Sequence, residues 1–139
     1  MSLVDARLEL SSSQALTASA DATNVVDLTQ TARQVGAGQP LYVHFNVVVA
    51  ADFTTTDETY QFNVATGAAA TLGTVLTSRI ITAAVLVEGF NFSMQIPSSE
   101  VLRYIGVEYV LGGTTPTVTM DAYISDQEQY SWVSTADAI

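Results

Sequence analysis

Hydrophobic and polar residues alternate with a period of two in segment after segment of this chain. Apolar side chains occupy every second position over residues 41–49 and again over residues 90–96, with mostly polar residues between them. Successive side chains of a β-strand point to opposite faces of the sheet, so this period is typical of strands. The pattern predicts sheets with one buried face and one face turned toward a polar environment.

Turn and loop residues divide this alternation into about eight strands. A serine run at 11–13 is predicted to end the first strand, and an acidic, threonine-rich loop covers 52–58. The stretch 65–73, rich in small residues, reads as a further loop, and Gly112 to Pro116 read as the turn of a closing hairpin. The segments that read as strands are 4–10, 41–51, 60–64, 74–81, 90–96, 105–111 and 118–124, with two short ones at 15–20 and 25–28.

The number of strands and the length of the chain together predict the fold class. No long helical pattern occurs, and the stretch 29–40 reads more simply as a loop than as a helical turn. A chain of 139 residues suits one domain, which buries roughly 68% of its unfolded surface. We therefore predict an all-β protein: an antiparallel two-sheet sandwich of jelly-roll type over residues 1–130, followed by a C-terminal tail at 131–139.

The net charge of the chain restricts the kinds of molecule that we expect it to bind. Fourteen acidic residues face four arginines and no lysine, which gives a formal net charge of -10. Nucleic-acid binding needs a basic stripe that releases counterions from phosphates, and anionic membranes attract basic segments, so neither is expected as a partner. The chain has no cysteine, which excludes disulfides and thiolate chemistry. No secretory signal or membrane-spanning run of ~20 apolar residues is recognisable, so we expect synthesis in a cytoplasm.

The search for catalytic and metal-binding residues gives little. The only histidine, His44, is predicted on the polar face of a strand, and no nucleophile is paired with a base, so we expect no enzymatic activity and no cofactor. Acidic clusters at Asp52, Asp57 and Glu58 and around Asp121 suit calcium by ligand type, but they lack the spacing of a calcium loop. We expect solvated loops there and no metal site.

Six short segments carry, in order along the chain, a resemblance to a known family. They are 3–8, 12–28, 36–42, 87–90, the Ile96-Pro97 pair and the Arg103-Tyr104 pair. In this order and spacing they resemble the capsid cement proteins of short-tailed bacteriophages, over most of the chain as far as Tyr130. The stretch 65–76 and the tail with Trp132 have no counterpart in the family pattern.

The resemblance implies a jelly-roll protein that decorates the outside of an icosahedral phage head. Such a protein binds the major capsid protein and clamps neighbouring subunits together, and the family implies a homodimer. The expected function is therefore structural, and the expected location is the outer surface of the virion.

Aromatic residues on the polar face or outside the alternation are the candidate interface residues. Aromatic side chains anchor protein interfaces, although half-buried aromatics also commonly cover the rim of a sandwich. An alternative function is a carbohydrate-binding β-sandwich module that uses exposed Tyr42, His44 and Tyr104, with or without calcium. The candidate interface residues are Tyr42, Tyr104, Tyr123, Tyr130 and Trp132.

Overall fold

The computed structural model describes residues 6–29, 33–34, 39–97 and 100–126, and every regular element in these ranges is a β-strand. Within them no helix is long and apolar enough to cross a membrane. The strands are β1 (Glu9–Leu16), β2 (Ala20–Asp21), β3 (Val26–Asp27), β4 (Arg33–Gln34), β5 (Tyr42–Val49), β6 (Thr59–Gly67), β7 (Thr74–Ile81), β8 (Asn91–Gln95), β9 (Glu100–Val101), β10 (Tyr104–Gly112) and β11 (Val118–Ser125).

Nine of these strands form two antiparallel sheets that pack face to face. The first sheet has the order β1-β11-β5-β8, and the second has the order β2-β10-β6-β7, with β3 also paired to β10. Because β3 pairs with the start of β10 and β2 with its middle, along the same edge, they act as two halves of one strand. The result is eight strand positions whose connections mostly cross between the sheets, which is a jelly roll and confirms the predicted fold class. A separate two-stranded ladder joins β4 to β9.

The core lies between the two sheets and is built by the predicted alternation. Along β11 buried and half-buried residues alternate from Val118 to Ser125, as expected for a strand with one face in a core. At the centre the ring of Phe45 lies 4.7 Å from that of Phe92 in its own sheet and 5.6 Å from that of Phe62 in the opposite sheet. These rings pack in stacked and edge-on geometries and fix the spacing of the two sheets.

The predicted C-terminal hairpin is wrong in its pairing, although its faces are correct. Ile105 and Val107 of β10 and Met120 and Ala122 of β11 are all buried, as predicted. However, β10 pairs with β6 and β11 pairs with β5 and β1, so the turn after Gly112 carries the chain from one sheet to the other. Alternation shows which face of a strand is buried, but not which strand lies beside it.

The serine run at 11–13 does not end the first strand. It lies inside β1, which runs from Glu9 to Leu16 and has one extra residue relative to β11 on each side of Ser11. Two β-bulges of this kind rotate the side chains, and the second contains Ser13 at a positive φ of 45°. Ser11 is thereby turned into the core, where its hydroxyl lies 2.8 Å from the hydroxyl of Tyr109 in the opposite sheet.

The other predicted strands agree with the structure to different degrees. Those at 25–28, 41–51, 74–81 and 90–96 are confirmed by β3, β5, β7 and β8. The predicted strand at 15–20 is wrong, since its first residues belong to β1 and its last begins β2. The predicted loop at 65–73 begins too early because β6 continues to Gly67, and within the predicted loop at 29–40 Arg33 and Gln34 form β4.

Candidate protein-binding surfaces

Two of the predicted interface residues, Tyr42 and Tyr123, lie on the outer face of the first sheet, where both rings adjoin the ring of His44. Tyr42 and His44 are on β5, and His44 is paired across the ladder with Tyr123 of β11. The ring centres of His44 and Tyr123 are 5.1 Å apart and stacked, and those of Tyr42 and His44 are 6.3 Å apart. Tyr42 and Tyr123 are half-buried, so both keep part of their surface open to contact.

His44 is not exposed, whereas the carbohydrate-binding alternative requires it to be. It is on the polar face of β5 as predicted, but only 2% of its surface is exposed. Its strand lies between β8 and β11, where His44 is opposite Ser93 on one side and Tyr123 on the other. A histidine this deeply covered offers no surface to a ligand, and its ring instead packs with its aromatic neighbours.

Tyr104 lies apart from this cluster because it begins β10 in the second sheet. The guanidinium of Arg103 stands 5.2 Å from the centre of its ring, which is a cation–π contact. The same guanidinium donates two hydrogen bonds to the carboxylate of Asp27, at 2.9 and 3.0 Å. This pairing with Arg103, helped by the backbone N–H of Thr29, lowers the pKa of Asp27. Tyr130, Trp132 and the predicted tail at 131–139 lie outside the described residues.

A third surface was not identified from the sequence: a group of exposed apolar side chains at one end of the sandwich. We name Val49, Phe53, Val85 and Val87 the end patch. They account for four of the six large apolar side chains that are exposed in the described ranges. Singly exposed apolar residues are ordinary, whereas several of them at one end of the sandwich are a candidate contact surface. The six exposed residues are Val49, Phe53, Val75, Ile80, Val85 and Val87.

Backbone hydrogen bonds hold the segments of the end patch side by side. The N–H of Ala51 donates to the carbonyl of Leu86 at 2.9 Å, and the N–H of Gly89 donates to the carbonyl of Val47 at 2.9 Å. Leu86 itself is completely buried and anchors the 82–90 segment to the core. The N–H of Asp52 donates to the carbonyl of Thr117 at 2.9 Å, which fixes the start of the 52–58 loop. The end patch therefore stands on a framework that is already ordered.

The 52–58 loop is also fastened to the turn after β10 through Asp57. This carboxylate accepts hydrogen bonds from the N–H and the hydroxyl of Thr114, at 3.1 and 2.9 Å, and from the hydroxyl of Thr55 at 2.8 Å. These bonds, the one from the Thr114 N–H foremost, lower the pKa of Asp57. We name this group of Thr55, Asp57 and Thr114 the threonine clasp.

The neighbouring acid, Glu58, lies in a loop that is predicted to be solvated. This prediction is wrong for Glu58, since only 4% of its surface is exposed. Its carboxylate turns back into its own loop and accepts a hydrogen bond from the N–H of Thr55 at 3.2 Å. In the part of the chain that the structure describes, no three Asp, Glu, His or Cys side chains come together in a way that would hold a metal ion.

Fold and surface together define the class of protein: a jelly-roll β-sandwich that presents exposed apolar side chains at an end held by backbone hydrogen bonds. The model of the family described as Bbp16 matches residues 10–124. This span is most of the chain, so the chain belongs to the Bbp16 family. The match begins in β1 and ends in β11, and it therefore covers the jelly roll from its first strand to its last. No curated protein matches the chain significantly.

Proposed function

We propose that this chain is a structural virion protein, a phage capsid cement or decoration protein that binds the outer surface of the head. In this role it stabilises contacts between subunits of the major capsid protein. The observation that carries the proposal is the end patch, a group of exposed apolar side chains held on an ordered framework. Six segments resemble phage cement proteins in their order along the chain. This resemblance indicates the major capsid protein as the partner.

The physical requirements of decoration agree with this architecture. A cement protein stabilises a shell by burying surface across subunit boundaries, and a stable interface needs about 1,200–2,000 Å² with an apolar centre. A surface that is ordered before binding loses little conformational entropy on association. Outside the shell the protein does not meet packaged DNA, so a net charge of -10 carries no penalty there. We further propose that it acts as a homodimer on symmetry-related capsid subunits.

The predicted aromatic anchors remain part of the proposal. Tyr42 and Tyr123 share the outer face of the first sheet and are suited to a second contact, whereas Tyr104 is on the other sheet. The carbohydrate-binding alternative uses exposed Tyr42, His44 and Tyr104. Because His44 is buried and Tyr104 lies in the second sheet, no observation favours that alternative.

Heads that were assembled without this protein provide the test. We expect the purified chain to cosediment with such heads up to a fixed number of copies and to raise the temperature at which they fall apart. Bovine serum albumin, added at the same concentration, controls for non-specific adsorption of an acidic protein. Heads that neither take up the chain nor become more stable would contradict the proposal.

A further inference from the structure

We infer that the chain binds the shell end-on, through the end patch, at an apolar hollow that is bordered by lysine and arginine side chains. This inference rests on the proposed function and adds to it the orientation of the bound protein and the chemistry of its partner. Two features carry it: the exposed apolar residues at this end, and the sign of the charges around them.

The charges at this end of the sandwich all have the same sign. Among the described residues, the segments at this end include 47–58, 82–90, 112–118 and the uncharged turn 17–19 beside Val118. Together they contain four acidic residues and no basic residue. Arg79, the nearest arginine along the chain, belongs to β7 and places its guanidinium 5.4 Å from the centre of the Phe92 ring, over the side of the sandwich. The four acidic residues are Asp52, Asp57, Glu58 and Glu88.

Three of these acids adjoin the end patch and keep some or all of their surface in solvent. Asp52 precedes Phe53, Glu88 follows Val87, and Asp57 lies in the same loop as Phe53. Asp57 and Glu88 are exposed, and Asp52 is half-buried. The end of the molecule therefore combines exposed apolar side chains with acidic residues next to them in sequence. Specific interfaces commonly have an apolar core and a polar rim.

This arrangement restricts the partner. A surface with an acidic border is attracted by a basic border and is repelled by an acidic one. A second copy of this chain docked through the same end would bring the same acids face to face, so the end patch is poorly suited to self-association. A protein surface with an apolar hollow and flanking lysine or arginine residues fits, and we assign it to the outer face of the capsid shell.

Substitution of one valine in the end patch tests the orientation, and a second valine serves as its control. Val87 is 53% exposed in the patch, and Val75 is 48% exposed on β7, near the opposite end of that strand from the patch. We expect Val87→Lys to weaken binding to heads about tenfold or more, because it removes apolar contact and adds a repulsive charge. Val75→Lys should bind as the original chain does. Thermal unfolding of both variants verifies that they are folded.

Substitution of Glu88 tests the charge of the partner. Glu88→Lys should weaken binding more than Glu88→Gln, and the binding of the original chain should weaken from about 0.1 M to about 1 M salt, where the Debye length falls from ~10 to ~3 Å. Stronger binding by Glu88→Lys would mean an acidic partner and would overturn the inference.

The remaining outcomes separate this inference from the proposed function. If the original chain binds heads and a folded Val87→Lys variant binds equally well, the proposed function stands and the end-on orientation is wrong. If Val87→Lys instead changes the molecular mass of the free chain in solution, the patch is a contact between copies, which also overturns the inference. If the original chain does not bind heads at all, the proposed function itself fails.

Discussion

At the scale of single residues, the turn after β10 depends on Gly113. Its φ is +90°, which side chains rarely tolerate, and a Cβ atom placed on it would lie 2.4 Å from the carbonyl oxygen of Asp57. Glycine is therefore required for two reasons at once, the backbone angle and the close approach of the 52–58 loop. This turn carries the chain between the sheets and supports the end of the molecule that bears the end patch.

We expect Gly113→Ala to lower the free energy of unfolding by about 2 kcal/mol or more, because both the angle and the contact are violated. Gly73→Ala is the matched control, since nothing lies within 4 Å of its added Cβ and its φ is not positive. Urea unfolding measures both variants. Equal stability of Gly113→Ala and Gly73→Ala would show that the turn is not constrained as described.

Asp57 makes the threonine clasp sensitive to acid. Its pKa is lowered from an ordinary value of 3.8 in the folded protein, chiefly by the hydrogen bond from the backbone of Thr114. A lowered pKa in the folded state means that the carboxylate stabilises the fold above pH 3.8. This contribution is lost as the pH falls through the folded-state value.

We therefore expect Asp57→Asn to be less stable than the original chain near neutral pH, and the difference to shrink as the pH falls below about 4. Glu88→Gln is the control, because Glu88 is an exposed acid outside the clasp. Urea unfolding midpoints at a series of pH values provide the measurement. A difference that grows toward acid pH would contradict this account of the clasp.

At the scale of elements, the bulges of β1 connect the two sheets through a series of hydrogen bonds that starts in the core and ends at the surface. The Ser11 hydroxyl donates to the side-chain oxygen of Gln14 at 2.7 Å, so the hydroxyl of Tyr109 donates to Ser11. Burial raises the pKa of Tyr109, which keeps this hydroxyl protonated as a donor. Gln14 in turn donates to the carbonyl of Asp21 and accepts from the N–H of Thr23, at 3.0 Å each. One irregular strand thus fixes the turn around β2.

A double-mutant cycle on Ser11→Ala and Tyr109→Phe tests this connection. We expect each single variant to lose about 1 kcal/mol of unfolding free energy, and the double variant to lose less than the sum, because the two hydroxyls share a hydrogen bond. Ser12→Ala, at an exposed neighbouring position, should change little. Strict additivity of the two variants would mean that the hydroxyls do not interact.

The same elements show how far the sequence predicts the structure. The regular alternation over β5, β8 and β11 predicts these strands and their buried faces, because period two depends only on local geometry. The prediction that the serine run ends the first strand is wrong, because the burial of Ser11 depends on a contact with Tyr109, a residue 98 positions away. Likewise, the hairpin was misassigned because the pattern along a strand carries no information about its neighbour.

The candidate surfaces were predictable to a smaller extent. The sequence identifies Tyr42 and Tyr123 as outward aromatics, but not that they flank a buried His44, since the contact of His44 with Tyr123 depends on the pairing of β5 with β11. The end patch was missed because its members belong to separate segments that long-range backbone bonds bring together. The apolar run over residues 47–49 is a weak signal of it, because apolar side chains there cannot all face the core.

At the scale of the whole molecule, an acidic sandwich with one apolar end suits the proposed binding to a shell. The net charge of -10 opposes non-specific contact between copies, while the end patch offers apolar contact to a fitting partner. The Bbp16 family match extends from β1 to β11 and so covers the framework that holds this end. The jelly roll serves, in this account, to keep a contact surface in fixed geometry.

Electron cryomicroscopy of phage heads, with and without this protein, tests whether the chain decorates the outside of the shell. We expect the decorated heads to show added density on the outer surface, at boundaries between major capsid subunits, into which the two-sheet jelly roll fits with Val87 and Phe53 toward the shell. Identical maps with and without the protein, or added density on the inner surface of the shell, would contradict the proposed function.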